Sequence, residues 1–274
     1  MKIYRSIQYI QNGIGYFPDL YKYVNHGFSW GRISGNMSFS HDDVASVRQN
    51  IRSFFEKLEM GDIRNSIHMI PEHKARIITI DKNTIKTLPN HRFGRACYCD
   101  VLLTQLSHET LTVKVGDCTT AIIYAKSKHT KGIIGLVHTG RRGAEMKLPL
   151  KLVSYLIKSL DFNKEDIIVG IVPHLFKKNR KFENLKKIRD RNIWNGFIEK
   201  RKRFFYIDET GLVIDQYIRA GIHPNNLFVY HVNTFRAAAS GDTFSHKYHL
   251  EMEKKGKSAP EGRFLVAVHK YDNT

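Results

Sequence analysis

Three side chains in this chain carry metal-ligand chemistry: His73, Cys118 and His138. Thiolate sulfur and imidazole nitrogen are donor types that zinc takes, and three protein ligands with a fourth position open is the pattern of a catalytic zinc site. The same residues also suit a metal-free thiol hydrolase, in which Cys118 is a nucleophile activated by His138. Spacing does not choose between these readings, because 14 histidines are scattered along the chain. Taken singly, Cys118 reads as a buried structural thiol and His73 as a half-exposed side chain in a loop. A multicopper centre fits less well, since it needs clustered histidines and the sequence contains no His-x-His pair.

The elements that must position these residues centre on residues 115–143. Apolar runs at 119–125 and 132–137, separated by a polar Lys/Ser/His/Thr turn, predict two adjacent buried strands. Cys118 immediately precedes the first run and His138 ends the second. The following Thr-Gly-Arg-Arg-Gly leads into a helical pattern, and a strand end that feeds such a turn is where small ligands bind. Upstream, Val44, Val47, Ile51, Phe54 and Leu58 fall three or four apart behind Asp42 and Asp43, predicting a helix with acids at its start. Residues 67–81 read as two short strands around Pro71-Glu72-His73-Lys74.

Residues 1–40 read as short strands and turns, 82–99 as irregular, and 100–114 as strands. Leu152, Val153, Leu156, Ile157 and Leu160 predict a helix with Pro149 in its first turn. Further strands are expected at 167–173, 227–232 and 264–269, and a helix on Leu212, Val213, Tyr217 and Ile218 stopped by Gly221. Strands interleave with helices without a strict βαβ rhythm, so the expectation is α+β with mixed sheets, in one domain over residues 1–274.

Charge is lopsided, with 44 Lys plus Arg against 26 Asp plus Glu and a formal net charge of +18. Residues 177–203 hold twelve cations against three acids, which is half of that excess. Such a stripe could bind nucleic acid by counterion release. The expected alternative is a solvated helix face, because Phe182, Leu185, Ile188, Trp194, Phe197 and Ile198 recur at roughly helical spacing. No apolar run approaches the roughly 18 residues of a membrane span, and no cleavable leader is evident. With three unevenly placed cysteines, the chain is expected to be soluble, away from the membrane and cytoplasmic.

Several segments resemble the laccase-domain family, whose labels are multicopper polyphenol oxidase-like, peptidoglycan editing factor and zinc-dependent purine nucleoside phosphorylase. Pro71-Glu72-His73-Lys74, Gly116-Asp117-Cys118 and the run from His138 to Gly143 stand, in order, where that family has a Gln-Val-His-Gly-like segment, Ala-Asp-Cys and His-Ala-Gly-Trp-Arg-Gly. Ser29 and Asn36-Met37-Ser38, Asp42-Asp43 with Asn50, residues 100–104, Tyr206-Ile207-Asp208, Ala220-Gly221, Phe244-Ser245 and Gly262-Arg263 follow its other landmarks. Arg141 replaces the family's tryptophan, Ile51 stands where its helix arginine is with Arg52 next door, and Val172-Pro173-His174-Leu175 replaces Gly-Pro-Cys-Cys.

The resemblance implies a layered α/β/β/α fold of the cytotoxic necrotizing factor-like cysteine hydrolase type. It implies that His73, Cys118 and His138 meet at one zinc as metal ligands and catalytic residues, with copper as the alternative metal. Asn36, Arg52, Asp117, Arg142 and Ser245 are the implied substrate contacts, with Arg142 the choice for an anion and Asp117 either a proton shuttle or a structural hydrogen-bonding group at its turn. The implied activity is phosphorolysis of adenosine, inosine, guanosine and methylthioadenosine, with adenosine deamination beside it. Polyphenol oxidation, thiol hydrolysis or peptidoglycan editing, and nucleic-acid binding through 177–203 are the alternatives.

Overall fold

The computed structural model describes residues 4–7, 9–126, 132–186 and 188–271, with the side chain of Arg32 left aside. Most of the polar turn expected after Ala125, and Lys187 of the basic stripe, lie outside the described residues. Two seven-stranded sheets stack face to face. In the first, strands β1 (Arg5–Ile7), β16 (Leu227–Tyr230), β12 (Ile167–Ile171), β10 (Thr119–Ala125), β11 (Ile133–Thr139), β8 (Val101–Thr104) and β6 (Ile77–Ile80) lie in that order. The second runs β2 (Ile10–Gln11), β3 (Ile14–Gly15), β4 (Val24–Ser29), β17 (Phe264–Lys270), β9 (Thr110–Val115), β5 (Ser66–Ile70) and β7 (Arg95–Tyr98). Both mix parallel and antiparallel pairs, as the irregular rhythm of the sequence requires.

The central strands read as continuous apolar runs because both of their faces are covered. On β10, Ile122 and Tyr124 enter the core between the sheets, where they join Phe28, Val113 and Val266 of the second sheet. Ala121, Ile123 and Ala125 face the other way, onto helices α5 (Leu148–Leu160) and α6 (Glu209–Arg219). Helix α2 (Val44–Lys57) packs Val47, Ile51, Phe54 and Phe55 onto Leu265 and Ala267 at the outer face of the second sheet. The layers are therefore α/β/β/α, and the short helices α1 (Pro18–Tyr21) and α4 (Arg141–Glu145) lie in connections.

Local signals account for the helix boundaries. Asp43 caps α2 by accepting from the Ser46 N–H at 2.9 Å. Pro149 sits in the first turn of α5, and Gly221, at φ 97°, follows α6 in the left-handed conformation that glycine adopts without a steric cost. Residues 82–99 are less irregular than expected, since they hold a short helix, α3 (Thr84–Thr87), and β7. Two further helices carry no sequence signal: α7 (Thr234–Ala239) is a short alanine run, and α8 (His246–Glu253) buries no residue and so has no apolar stripe.

The basic stripe is a correction. Residues 177–203 form no long helix; β13 (Lys181–Phe182), β14 (Ile198–Arg201) and β15 (Phe204–Ile207) make a separate three-stranded antiparallel sheet. Asn192, Asn195 and Gly196, the last at φ 82°, turn the chain where a helix would have to continue. The apolar positions at helical spacing are nonetheless anchors, because Trp194 and Ile188 are buried in the core beneath α5 and α6.

Candidate metal centre and its cavity

His73 and Cys118 lie on two of the connections by which the chain crosses from the second sheet to the first. His73 is in the β5–β6 loop and Cys118 in the β9–β10 turn. His138 stands on β11, opposite Thr120 of β10. This topology brings together residues 45 and 20 positions apart in the chain: one ligand atom from each lies within 4.8 Å of the other two. The imidazole rings meet edge to face with centroids 5.0 Å apart.

A buried carboxylate fixes both histidines. Asp100 accepts hydrogen bonds from the backbone N–H groups of His73 at 2.7 Å, Lys74 at 2.8 Å and Arg76 at 3.3 Å. Its carbonyl oxygen accepts from the N–H of His138 at 2.8 Å. The loop needs such an anchor, because His73 and Ala75 are left-handed at φ 60° and 58°, a conformation that costs about 1–2 kcal/mol per non-glycine residue. Gly140 leaves the remaining room: a Cβ there would stand 3.2 Å from the sulfur of Cys118 and 3.4 Å from Cδ2 of His73.

The electrostatics suit a cation. Burial pulls the pKa of His138 below its ordinary value, against opposing pulls from Asp100 and Glu209, so the ring is neutral at pH 7 as a metal ligand must be. Its Nδ1 is buried without a hydrogen-bond partner among the described residues, which is costly unless something else satisfies it. The guanidinium of Arg180 lies in the field of Glu209, Cys118 and Asp117 and pairs with the buried Glu209 at 2.9 Å. Burial raises the Glu209 carboxyl while Arg180 pulls it back down. One thiol and two imidazoles at this separation fit a zinc ion with an open fourth position. Among the described residues this is the one group of three or more such side chains close enough to share an ion, so they do not form the histidine-rich cluster of a multicopper centre.

The three residues open onto a cavity of about 980 Å³, whose wall adds Arg180, Lys114 and Arg263 as cations and Phe182 and Phe204 as aromatic surface. Burial, with Arg92 nearby, lowers Lys114 to a pKa of about 8. Asp117 also lines the cavity, but both of its oxygens are committed. Oδ1 accepts from Thr234 at 2.6 Å and Ser245 at 2.7 Å, and Oδ2 from the Lys247 N–H at 2.7 Å. Asp117 and Ser245 thus tie the start of α8 to the turn that bears Cys118.

The other expected contacts are spread out. Asn36 sits behind Arg263, accepting from its N–H at 3.1 Å. Arg142 lines a separate cavity of about 440 Å³ that shares His73. Arg52 is exposed on α2, within the field of Asp62, and lines none of these cavities. Arg141, in place of tryptophan, pairs with Glu145 at 3.1 Å. His174 is buried beside a third cavity, of about 530 Å³, which adjoins the main one at Leu175. Sequence reasoning missed Asp100, Glu209 and Gly140 as parts of the site, and it counted Arg180 into the solvated stripe. An acid at the head of an apolar strand was the available signal for Asp100; Arg180 offered none.

A family model described as multi-copper polyphenol oxidoreductase laccase matches residues 23–268. No curated protein matches the chain. Among solved structures, YlmD from Geobacillus stearothermophilus superposes with a TM-score of 0.78 at 18% identity, over 97% of this chain and 98% of its own. The hypothetical protein YfiH of Bacillus licheniformis gives 0.76 at 16% identity, over 95% and 97%. NMB0706 of Neisseria meningitidis gives 0.61 at 11% identity, over 86% of each chain.

Proposed function

The chain belongs to the multi-copper polyphenol oxidoreductase laccase family, and we propose that it is a zinc-dependent enzyme that phosphorolyses purine nucleosides. The observation that carries this reading is the His73, Cys118 and His138 group opening onto a cavity with cationic and aromatic walls. Zinc held by those three residues supplies a fixed positive charge and Lewis acidity at the reacting centre. Phosphate attacks C1′ of the ribose, the glycosidic bond to the purine breaks, and the departing base takes up a proton. Arg180, with Arg263 and Lys114, holds the anionic nucleophile in line, and orienting the reactants in this way removes much of the entropic barrier. Phe182 or Phe204 offers a face on which the purine stacks.

Deamination of adenosine at C6 is the weaker activity. It needs a carboxylate free to shuttle a proton, and Asp117, the expected shuttle, already accepts three hydrogen bonds. Copper chemistry on polyphenols is disfavoured, because the described residues hold one three-residue donor group. The three cysteines are free thiols, which supports a reducing, cytoplasmic setting, and no helix among the described residues is long and apolar enough to cross a membrane.

The deciding experiment incubates metal-analysed protein with adenosine, inosine, guanosine and methylthioadenosine, with and without phosphate, and separates free base, ribose 1-phosphate and inosine by chromatography. Phosphate-dependent release of base is expected. Turnover no greater than that of His138→Ala would overturn the reading and favour a thiol hydrolase.

A further inference from the structure

The three-stranded sheet β13–β15 stands over the cavity, and β15 follows one rule: a cation over each of its rings. The Lys181 ammonium sits 3.5 Å and the Arg203 guanidinium 4.9 Å from the centre of Phe204. Lys200 lies 5.9 Å from the centre of Phe205, and Arg201 5.4 Å from that of Tyr206. Residues paired directly across antiparallel strands share a face, so Lys181, Glu199 and Tyr206 lie on one side together with the pair Arg201 and Phe204.

The charge on this sheet is not internally balanced. Glu199 is engaged by both Arg201 and Lys177. Lys181, Lys200, Lys202 and Arg203 are exposed and form no ion pair among the described residues. Lys186, Arg189 and Arg191 are exposed on the loop between β13 and β14. An ordinary solvated face would alternate its charges and leave long side chains free; here Phe204 and Tyr206, on one face, hold Lys181, Arg201 and Arg203.

We infer that this sheet docks single-stranded nucleic acid, with its cations tracking the phosphates and Phe204 and Tyr206, which share a face, meeting the bases. Interleaved cations and aromatics are how a platform holds a strand without reading its sequence, because every base has a face to stack. A duplex has no base faces to offer the rings. An anionic membrane would need protruding apolar side chains, and the exposed large apolar residues, such as Ile33, Tyr98 and Ile10, lie elsewhere. Phe204 and Lys181 also line the main cavity, so a docked strand runs past its mouth. The inference does not depend on the nucleoside reading.

Fluorescence anisotropy with a labelled single-stranded oligonucleotide of about 12 nucleotides, within the span one such domain covers, tests it. The variant K181E/K200E/K202E/R203E should lose at least about 100-fold in affinity, and the slope of log K against log salt should fall in magnitude by about 3 for four lost phosphate contacts. Phe204→Leu, which keeps an apolar side chain in place, should weaken binding about tenfold and leave the salt slope alone. Cys118→Ala should bind as the parent does, which separates this surface from the metal centre. Absence of binding by the parent protein at low salt would overturn the inference. So would equal binding of duplex DNA, heparin and phosphatidylserine vesicles, or parental affinity in the fourfold variant.

Discussion

The metal centre and the β13–β15 sheet border one cavity and are held by opposite means. At the centre, position does the work: His73 and His138 hang on the carboxylate and carbonyl of a single aspartate, and a glycine leaves the space they need. On the sheet, density does the work: the strands are two to four residues long, and Lys181 and Arg203 rest on the ring of Phe204 with no ion pair among the described residues. Residues of the first kind should be irreplaceable one at a time. The cations of the second should matter only in sum.

The largest effect expected from that contrast is at Cys118. Cys118→Ala should lose most of its zinc by elemental analysis and at least about a thousandfold in kcat/KM, the scale of deleting a group the transition state needs. Parental zinc content in this variant would remove the centre from the comparison altogether.

Next is Asp100→Ala, which leaves three N–H donors without their acceptor and releases a left-handed loop. Denaturant unfolding should show a loss of about 3 kcal/mol, and zinc affinity should fall at least about tenfold. A variant that kept its zinc affinity while losing stability would show that the aspartate serves the fold and not the centre.

Acid should strike the rigid body and spare the sheet. His26 and His174 are buried, and burial holds each at a pKa of about 4. The unfolded chain takes up these protons near pH 6.5 and the folded chain does so only near 4, so stability is intact above about 6.5 and falls as pH drops through that window. The loss approaches about 3 kcal/mol for each histidine by pH 4. Thermal melts of His174→Asn should show a shallower decline than the parent; an identical decline would exclude His174 as a source.

The smallest effect belongs to the sheet. Lys202 is left-handed at φ 53° in the β14–β15 turn, so Lys202→Gly should be neutral or stabilising by less than about 1 kcal/mol. A destabilised protein in the same unfolding assay would mean that the turn is more tightly built than the contrast allows.

Much of this was legible in the sequence, and what was not has a physical cause. The α2 stripe and the apolar runs of β10 and β12 pointed to these elements and to mixed sheets, because burial on one or two faces writes a period into the chain; the four layers were implied by the family resemblance. The residue types of the centre were visible, but not Asp100 or Gly140. Their roles lie in backbone contacts and in excluded space, and neither leaves a pattern of side chains. The basic stripe misled because Ile188 and Trp194 do enter the core, at a spacing set by turns and short strands that imitates a helix. Helix α8 was silent because it has no buried face. Arg52 was carried over on adjacency to a family position, and its side chain is on the exposed side of α2.

The placement of the centre on the crossings between the sheets has a mechanical consequence. His73 and Cys118 belong to two of the straps that join the halves of the sandwich, and His138 belongs to one half outright. An ion gripped by all three is therefore a rivet through both layers. Loading it should raise the unfolding temperature in proportion to the logarithm of free metal. Conversely, any slip of one layer over the other, such as repacking Phe28 against Tyr230, whose rings meet at 4.8 Å in the shared core, should be felt first as a loosening of that grip.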